Sequence, residues 1–219
     1  MNNYKIKFIF SSFLIMLFVG MFFYQPQAMS AGMRNGLYLC TATIIPSMFP
    51  FLVVSDFLIR SGMCSYFGRI SAKIINFIFR LPGCSACVIF MSLIGGFPVG
   101  AKMTAQLIEE KEISNEQGKR LLLFCVNGGP AFTIGVVGVS MLKSEKAGII
   151  IYISLVLSSL LVGFISRFFA KENDNVKIKS EPFFEVSVFV KSVNQSARAV
   201  INICAWVLVF SFINGYLIY

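Results

Sequence analysis

Two short stretches hold the residues that can do chemistry. The first is Leu93-Ile94-Gly95-Gly96-Phe97-Pro98-Val99-Gly100-Ala101-Lys102, an apolar run broken by three glycines and a proline and closed by a lysine. The second, Cys125-Val126-Asn127-Gly128-Gly129-Pro130-Ala131-Phe132-Thr133, repeats the pattern downstream. A helix that starts at Pro98 or Pro130 carries unsatisfied N–H groups and a positive dipole end at its first turn. Lys102, one turn into the first such helix, can hold an anionic group. Asn127 offers both a donor and an acceptor, and Thr133, one turn after Pro130, adds a hydroxyl. Upstream, Thr41, Thr43 and Ser47 lie among Pro46 and Pro50 and can line a facing wall.

Blander readings stay open at each position. The Gly-Gly and Pro residues can form turns at a membrane surface, with Lys102 snorkelling to water. Asn127 can serve only to cap the helix beginning at Pro130. Together, however, two breaks in one small membrane protein point to a site. Lipid cannot satisfy free backbone groups, so a break is tolerated only where it faces protein or a wet cavity.

The membrane assignment rests on composition. Of 219 residues, 57% are hydrophobic and 13% charged, where a soluble domain carries about 25% charged residues. Mean hydropathy is +0.78. Runs of nearly membrane-spanning length follow one another, which predicts an all-α, polytopic helical membrane protein with broken or re-entrant helices and about five or six membrane elements. The net charge of +9 does not indicate nucleic acid, because Lys and Arg sit in loops at helix ends. The chain contains no histidine, so no Ser-His or Cys-His pair exists and enzyme activity is not expected. Glu109, Glu110 and Glu112 flank Lys111 as a solvated face. No phosphate-binding glycine loop of the Gly-Lys-Ser/Thr kind occurs. Six cysteines lie mostly in apolar stretches, as free thiols do. Cys84-x-x-Cys87 has no second pair to complete a metal site and reads as two small residues on one packing face. Neither metal nor cofactor is expected.

The elements that must position these residues follow in order. Phe8–Tyr24, after Lys5 and Lys7, reads as an uncleaved first helix with a cytoplasmic N-terminus. Read as a signal peptide, it would be cleaved near Ala28-Met29-Ser30. Gln25–Asn35 reads as a polar turn. Gly36–Ile59 is long enough to cross but is predicted to do so in two pieces, because Pro46 and Pro50 each remove a helix hydrogen bond. Asp56 near its end reads as interfacial. Ser65–Phe79 places Phe67, Ile70, Ile74, Ile75, Phe77 and Ile78 as an amphipathic helix on the inner leaflet. Gly83–Gly96 is a half-length apolar helix, and a polar helix follows from Pro98 to about Lys111. Ser114 and Gln117 form a capping box that opens a helix running to Val126. Pro130 opens another, to about Leu142. Ala147–Phe169 is a clean span, Lys171–Pro182 a polar loop, and Phe183–Ala197 a further surface helix. Ala199–Tyr219 is the last span. The whole reads as one membrane domain, 1–219. It divides into a helix and turn at 1–35, a core with two broken helices at 36–169, and a polar loop and final helix at 170–219.

Charge sets a parity condition. The segment 60–80 holds four basic residues and no acidic ones, and 167–198 holds six basic against four acidic, so both prefer the cytoplasm. With one crossing at 147–169, the stretch 83–142 must cross an odd number of times. One broken element then spans and the other is a re-entrant hairpin.

The two paired motifs, together with Ile44-Ile45-Pro46-Ser47-Met48-Phe49-Pro50-Phe51, resemble the YlbJ-type sporulation integral membrane proteins, part of the wider nucleoside-recognition (Gate) domain group. The resemblance runs from about Leu37 to Leu161 and more weakly beyond. It implies a cell-membrane, multi-pass protein, and a short or half-length member that assembles with itself or with another chain. It also implies a transporter or permease-like protein for a small polar, nucleoside-like solute. The solute-binding residues would be Pro46, Ser47, Pro50, Gly95, Gly96, Pro98, Gly100, Lys102, Asn127, Gly128, Gly129, Pro130 and Thr133, with Asn127 meeting a base edge or sugar hydroxyl. The alternative it implies is a non-transporting scaffold for spore-envelope maturation, whose basic inner surface contacts anionic lipid or a partner.

Overall fold

The structure is a computed structural model that describes residues 26–170 and 184–218, with scattered positions between 7 and 20. Most of the first apolar run, Phe8–Tyr24, and all of the expected loop Lys171–Pro182 lie outside the described residues. Every regular element described is helical. In order these are α1 (Pro26–Leu39), α2 (Ile45–Arg60), α3 (Met63–Phe79), α4 (Ser85–Gly95), α5 (Phe97–Glu109) and α6 (Asn115–Cys125). They are followed by α7 (Ala131–Met141, wound as a π-helix), α8 (Glu145–Ser166) and α9 (Val186–Ile218). Three described helices are long and apolar enough to cross a membrane: Met29–Arg60, Glu145–Phe169 and Val186–Gly215.

Three expectations are corrected. The polar stretch Gln25–Asn35 is helical from Pro26 onward rather than a turn. Pro46 and Pro50 do not cut the second run in two. Cys40–Ile44 forms a π-turn in which the Ile45 N–H bonds to the Cys40 carbonyl, five residues back. That wider turn shifts the carbonyls which the Pro46 ring would otherwise strike, and the helix continues to Arg60. Finally, the surface helix expected at Phe183–Ala197 and the last span are one 33-residue helix, α9. Its polar positions Ser192 and Ser196 alternate with apolar neighbours because they belong to a buried stripe spaced by four, Val188, Ser192, Ser196 and Val200.

The described chain forms two compact units. The smaller comprises residues 1–46 and 198–219. Here Gly32 and Gly36, one turn apart on α1, bring its backbone against Ser211 and Gly215 of α9. A Cβ on Gly32 would lie 2.4 Å from the Ser211 carbonyl oxygen. Cys40 continues the face, its thiol 3.8 Å from the Cys204 carbonyl. Small residues spaced by four are how membrane helices approach closely.

The larger unit, 47–197, holds both broken motifs. The broken pair α6–α7 runs antiparallel along the whole of α8. Arg120 bonds to the Ser166 carbonyl at 3.2 Å. One turn on, the Phe124 ring lies against Gly163, Gly128 faces Leu155, and Gly138 lies backbone to backbone with Gly148. Over its 22 residues α8 is about 33 Å long, the thickness of a bilayer core. α4–α5 is instead a hairpin. The Cys84 thiol before α4 meets the Glu112 carbonyl after α5, at 3.7 Å. The hairpin tip reaches only half-way along α8, where the Tyr152 hydroxyl donates to the Leu93 carbonyl at 2.9 Å.

Within the larger unit, then, α4–α5 doubles back while α6–α7 runs the length of α8, and Arg80 and Arg167 stand at one end of the unit. Arg120 fastens that end. Its guanidinium donates to the Phe79 and Arg80 carbonyls at the C-terminus of α3 as well as to Ser166 at that of α8. Arg167 adds a bond to the Phe77 carbonyl, 2.7 Å, and stacks over the Phe77 ring.

Candidate functional site

The two breaks meet. Gly96 has φ +79, a conformation that only glycine adopts without strain, and it turns α4 into α5. A Cβ at Gly96 would lie 2.8 Å from the Gly129 N, and one at Gly129 3.1 Å from the Gly96 N. Four residues on, a Cβ at Gly100 would sit 2.0 Å from the Cys125 carbonyl oxygen. Gly95 is tight against Val99 and Phe51, while a Cβ at Gly128 would meet only side chains, nearest the Thr133 hydroxyl at 3.1 Å. The glycines thus seat the hairpin tip against the α6–α7 break backbone to backbone, and Pro98 and Pro130 start the helices that leave the junction.

The side chains expected to bind at the junction are engaged locally. Asn127 donates its amide back to the Phe124 carbonyl at 2.6 Å. It therefore closes the end of α6 and does not cap the helix after Pro130, which has no side-chain cap. The Thr133 hydroxyl is buried and bonds to the Gly129 carbonyl at 3.0 Å. Pro46 belongs to the smaller unit, and Pro50 is exposed on α2. Ser47 is half-buried in the larger unit. Thr41 is exposed and its hydroxyl bonds within the helix to Leu37.

Lys102 points elsewhere. Its ammonium lies 3.2 Å from Asp56 Oδ1 on α2 and donates to the Ser196 hydroxyl on α9, also at 3.2 Å. Asp56 is fully buried, not interfacial, and its Oδ2 accepts from Arg60 Nε at 2.6 Å. Arg60 in turn donates to the Gln195 side-chain carbonyl. The cluster therefore carries two cations against one carboxylate, at a junction of α2, α5 and α9. A buried carboxylate is tolerated only with such partners.

Two further polar groups stand one turn from this cluster. Gln106 is four residues on from Lys102, only 4% exposed, and neither end of its amide has a hydrogen-bond partner among the described residues. Ser192 precedes Ser196 by one turn, is fully buried, and its hydroxyl likewise has no described partner. A buried polar group without a partner costs about 1–3 kcal/mol, so such groups mark places where water or a ligand belongs. Sequence reasoning missed Asp56 as the partner of Lys102, and it missed Gln106, Ser192, Gln195 and Ser196. The available signals were an aspartate inside an apolar run and a Ser-x-x-x-Ser spacing in the last helix.

Cys84 and Cys87 are buried free thiols that fit the packing reading. The reason is visible in Gly68 and Gly83, whose backbones touch where α3 crosses the entry to α4.

No family model matches the chain, and no solved structure matches it. Over 150 residues it is 31% identical to the sporulation integral membrane protein YlbJ of Bacillus subtilis (strain 168). The match covers 68% of this chain and 37% of that protein, so the chain spans well under half the length of the curated relative. On this similarity, and with a helical membrane architecture that agrees with it, the chain belongs to the YlbJ-type sporulation integral membrane proteins.

Proposed function

We propose that the protein serves a sporulation-related membrane role as a transporter or permease-like unit for a small polar solute. The nucleoside-like class is what the resemblance to the nucleoside-recognition group implies. The observation that carries the reading is the buried polar junction of α2, α5 and α9, where the Gln106 amide and the Ser192 hydroxyl have no described partner beside Lys102. In a membrane protein such groups belong on a solute or ion path. The solute site in this reading lies at Lys102, Gln106 and Ser192 and not between the two glycine breaks, which are closed against each other. The basic end marked by Arg80 and Arg167 faces the cytoplasm.

The test is a thermal-shift panel of nucleosides and nucleobases on the detergent-purified protein, followed by uptake into proteoliposomes. A stabilising solute whose uptake falls at least tenfold in Gln106→Ala supports the reading. A flat panel and no uptake overturn it.

A second reading, a non-transporting scaffold for spore-envelope maturation, draws on the same closed contact. Gly96 against Gly129 leaves no gap at the midpoint of the helices, as a rigid structural unit would have it. Such a scaffold shows no solute-dependent stabilisation.

A further inference from the structure

A groove of about 430 Å³ opens between α2, α3 and α4 in the larger unit. Its wall is Leu58 of α2, Phe67 and Ile70 of α3, and Ala86, Phe90 and Met91 of α4. The one hydroxyl on its lining, Ser71, is already bonded to the Phe67 carbonyl at 2.9 Å, and the buried thiol of Cys87, which also lines it, is directed at the Cys64 carbonyl at 4.0 Å. The lining therefore offers a ligand no free polar group, and only an apolar occupant gains by filling it.

The surroundings identify that occupant. α3 exposes Phe67, Ile70, Ile74 and Phe77, from 47% to 73%, along one side. No acidic residue occurs between Phe57 and Arg80, whereas Arg69, Lys73 and Arg80 do. Glu112, whose carboxylate accepts from Ser65 of α3, is buried, so an exposed apolar stripe on a helix that carries cations and no carboxylate of its own remains, the pattern of a helix lying in the headgroup layer of an anionic leaflet. Lys73 is exposed and follows Ile70 by three residues, so it flanks the groove-lining face of α3 one turn on. We propose that the groove is a lipid site: one acyl chain of an anionic phospholipid from the surrounding bilayer fills it, and Lys73 meets the headgroup phosphate. The volume suits a chain segment lodged beneath α3, and the cation at its mouth selects charge.

The assay is native mass spectrometry of the protein in mild detergent, with phosphatidylglycerol and phosphatidylcholine supplied at equal concentration. The wild type is expected to retain phosphatidylglycerol preferentially. Ala86→Trp, which fills the groove, loses that retention tenfold or more. Lys73→Gln still binds lipid but its preference for phosphatidylglycerol over phosphatidylcholine falls about fivefold. Equal retention of the two lipids by the wild type overturns the proposal. So does undiminished phosphatidylglycerol binding by an Ala86→Trp protein that keeps the wild-type melting midpoint. Should Ala86→Trp fail to fold, Ser71→Leu narrows the same groove from α3 and is read by the same two criteria.

Discussion

Lys102 reaches Asp56 across 3.2 Å, and the carboxylate is fully buried while the lysine side chain keeps 17% of its exposure. This contact ties the α4–α5 hairpin to α2, as does the close approach of Gly95 to Phe51. Because Arg60 holds the other carboxylate oxygen, the two ends of the pair are not equivalent. Lys102→Met leaves Asp56 paired with Arg60. Asp56→Asn leaves two cations facing each other in the interior. Asp56→Asn is therefore expected to cost about 3–5 kcal/mol, and Lys102→Met distinctly less. Pairing Asp56→Asn with Lys102→Met should recover part of the loss, since it removes one of the two opposed cations. Thermal unfolding in detergent measures all three. Equal losses for the two single variants would contradict the asymmetry.

The glycine junction makes a sharper steric prediction. In Gly100→Ala the new methyl group meets a backbone carbonyl, that of Cys125, which has no rotamer to give way. The hairpin must back off, at about 1–3 kcal/mol. Gly96→Ala adds a strained positive φ to a clash with Gly129. Gly135→Ala is the control, because nothing lies within 4 Å of its Cβ position. It should stay within about 0.5 kcal/mol of wild type. If Gly100→Ala melts with Gly135→Ala, the breaks are not packed as described.

Arg120 is predicted to be structural. Its bonds end on carbonyls at the C-termini of two helices, α3 and α8, where helices lack internal partners. Arg120→Gln should lose about 1.5–3 kcal/mol and raise hydrogen exchange at residues 76–80 and 164–167 while leaving α7 unchanged. Uniformly raised exchange would instead indicate global destabilisation with no role in fastening that end.

Local signals made much of this fold legible. The Ser114–Gln117 capping box forms as its spacing predicts, with both reciprocal bonds present. Pro98 opens α5, and the amphipathic pattern of Phe67, Ile70 and Ile74 yields α3. Each of these depends on neighbours within one or two turns. What was not legible depends on distant partners. Pro46 looks like a breaker until the π-turn before it is seen. Gly32 looks like part of a polar turn until Ser211 is placed against it. Asp56 looks interfacial until Lys102, 46 positions away in the chain, turns toward it. The pairing of the two glycine motifs was legible as likeness of pattern. That they close on each other, and leave the polar groups at Lys102 and Gln106, was not.

The last prediction concerns topology. Cys84 against Glu112 returns the hairpin to its starting end, and α6–α7 alone traverses. Lys73 and Lys111 must then lie on one membrane face and Lys143 on the other. Five of the six native cysteines are buried, so replacing Cys204 with alanine gives a background nearly silent to a membrane-impermeant maleimide. In that background, with the protein in sealed right-side-out vesicles, Lys73→Cys and Lys111→Cys should behave alike and Lys143→Cys oppositely. Lysing the vesicles should make all three react. If Lys111→Cys instead labels with Lys143→Cys, the α4–α5 hairpin crosses the membrane, and the half-depth meeting of Gly96 with Gly129 cannot be its tip.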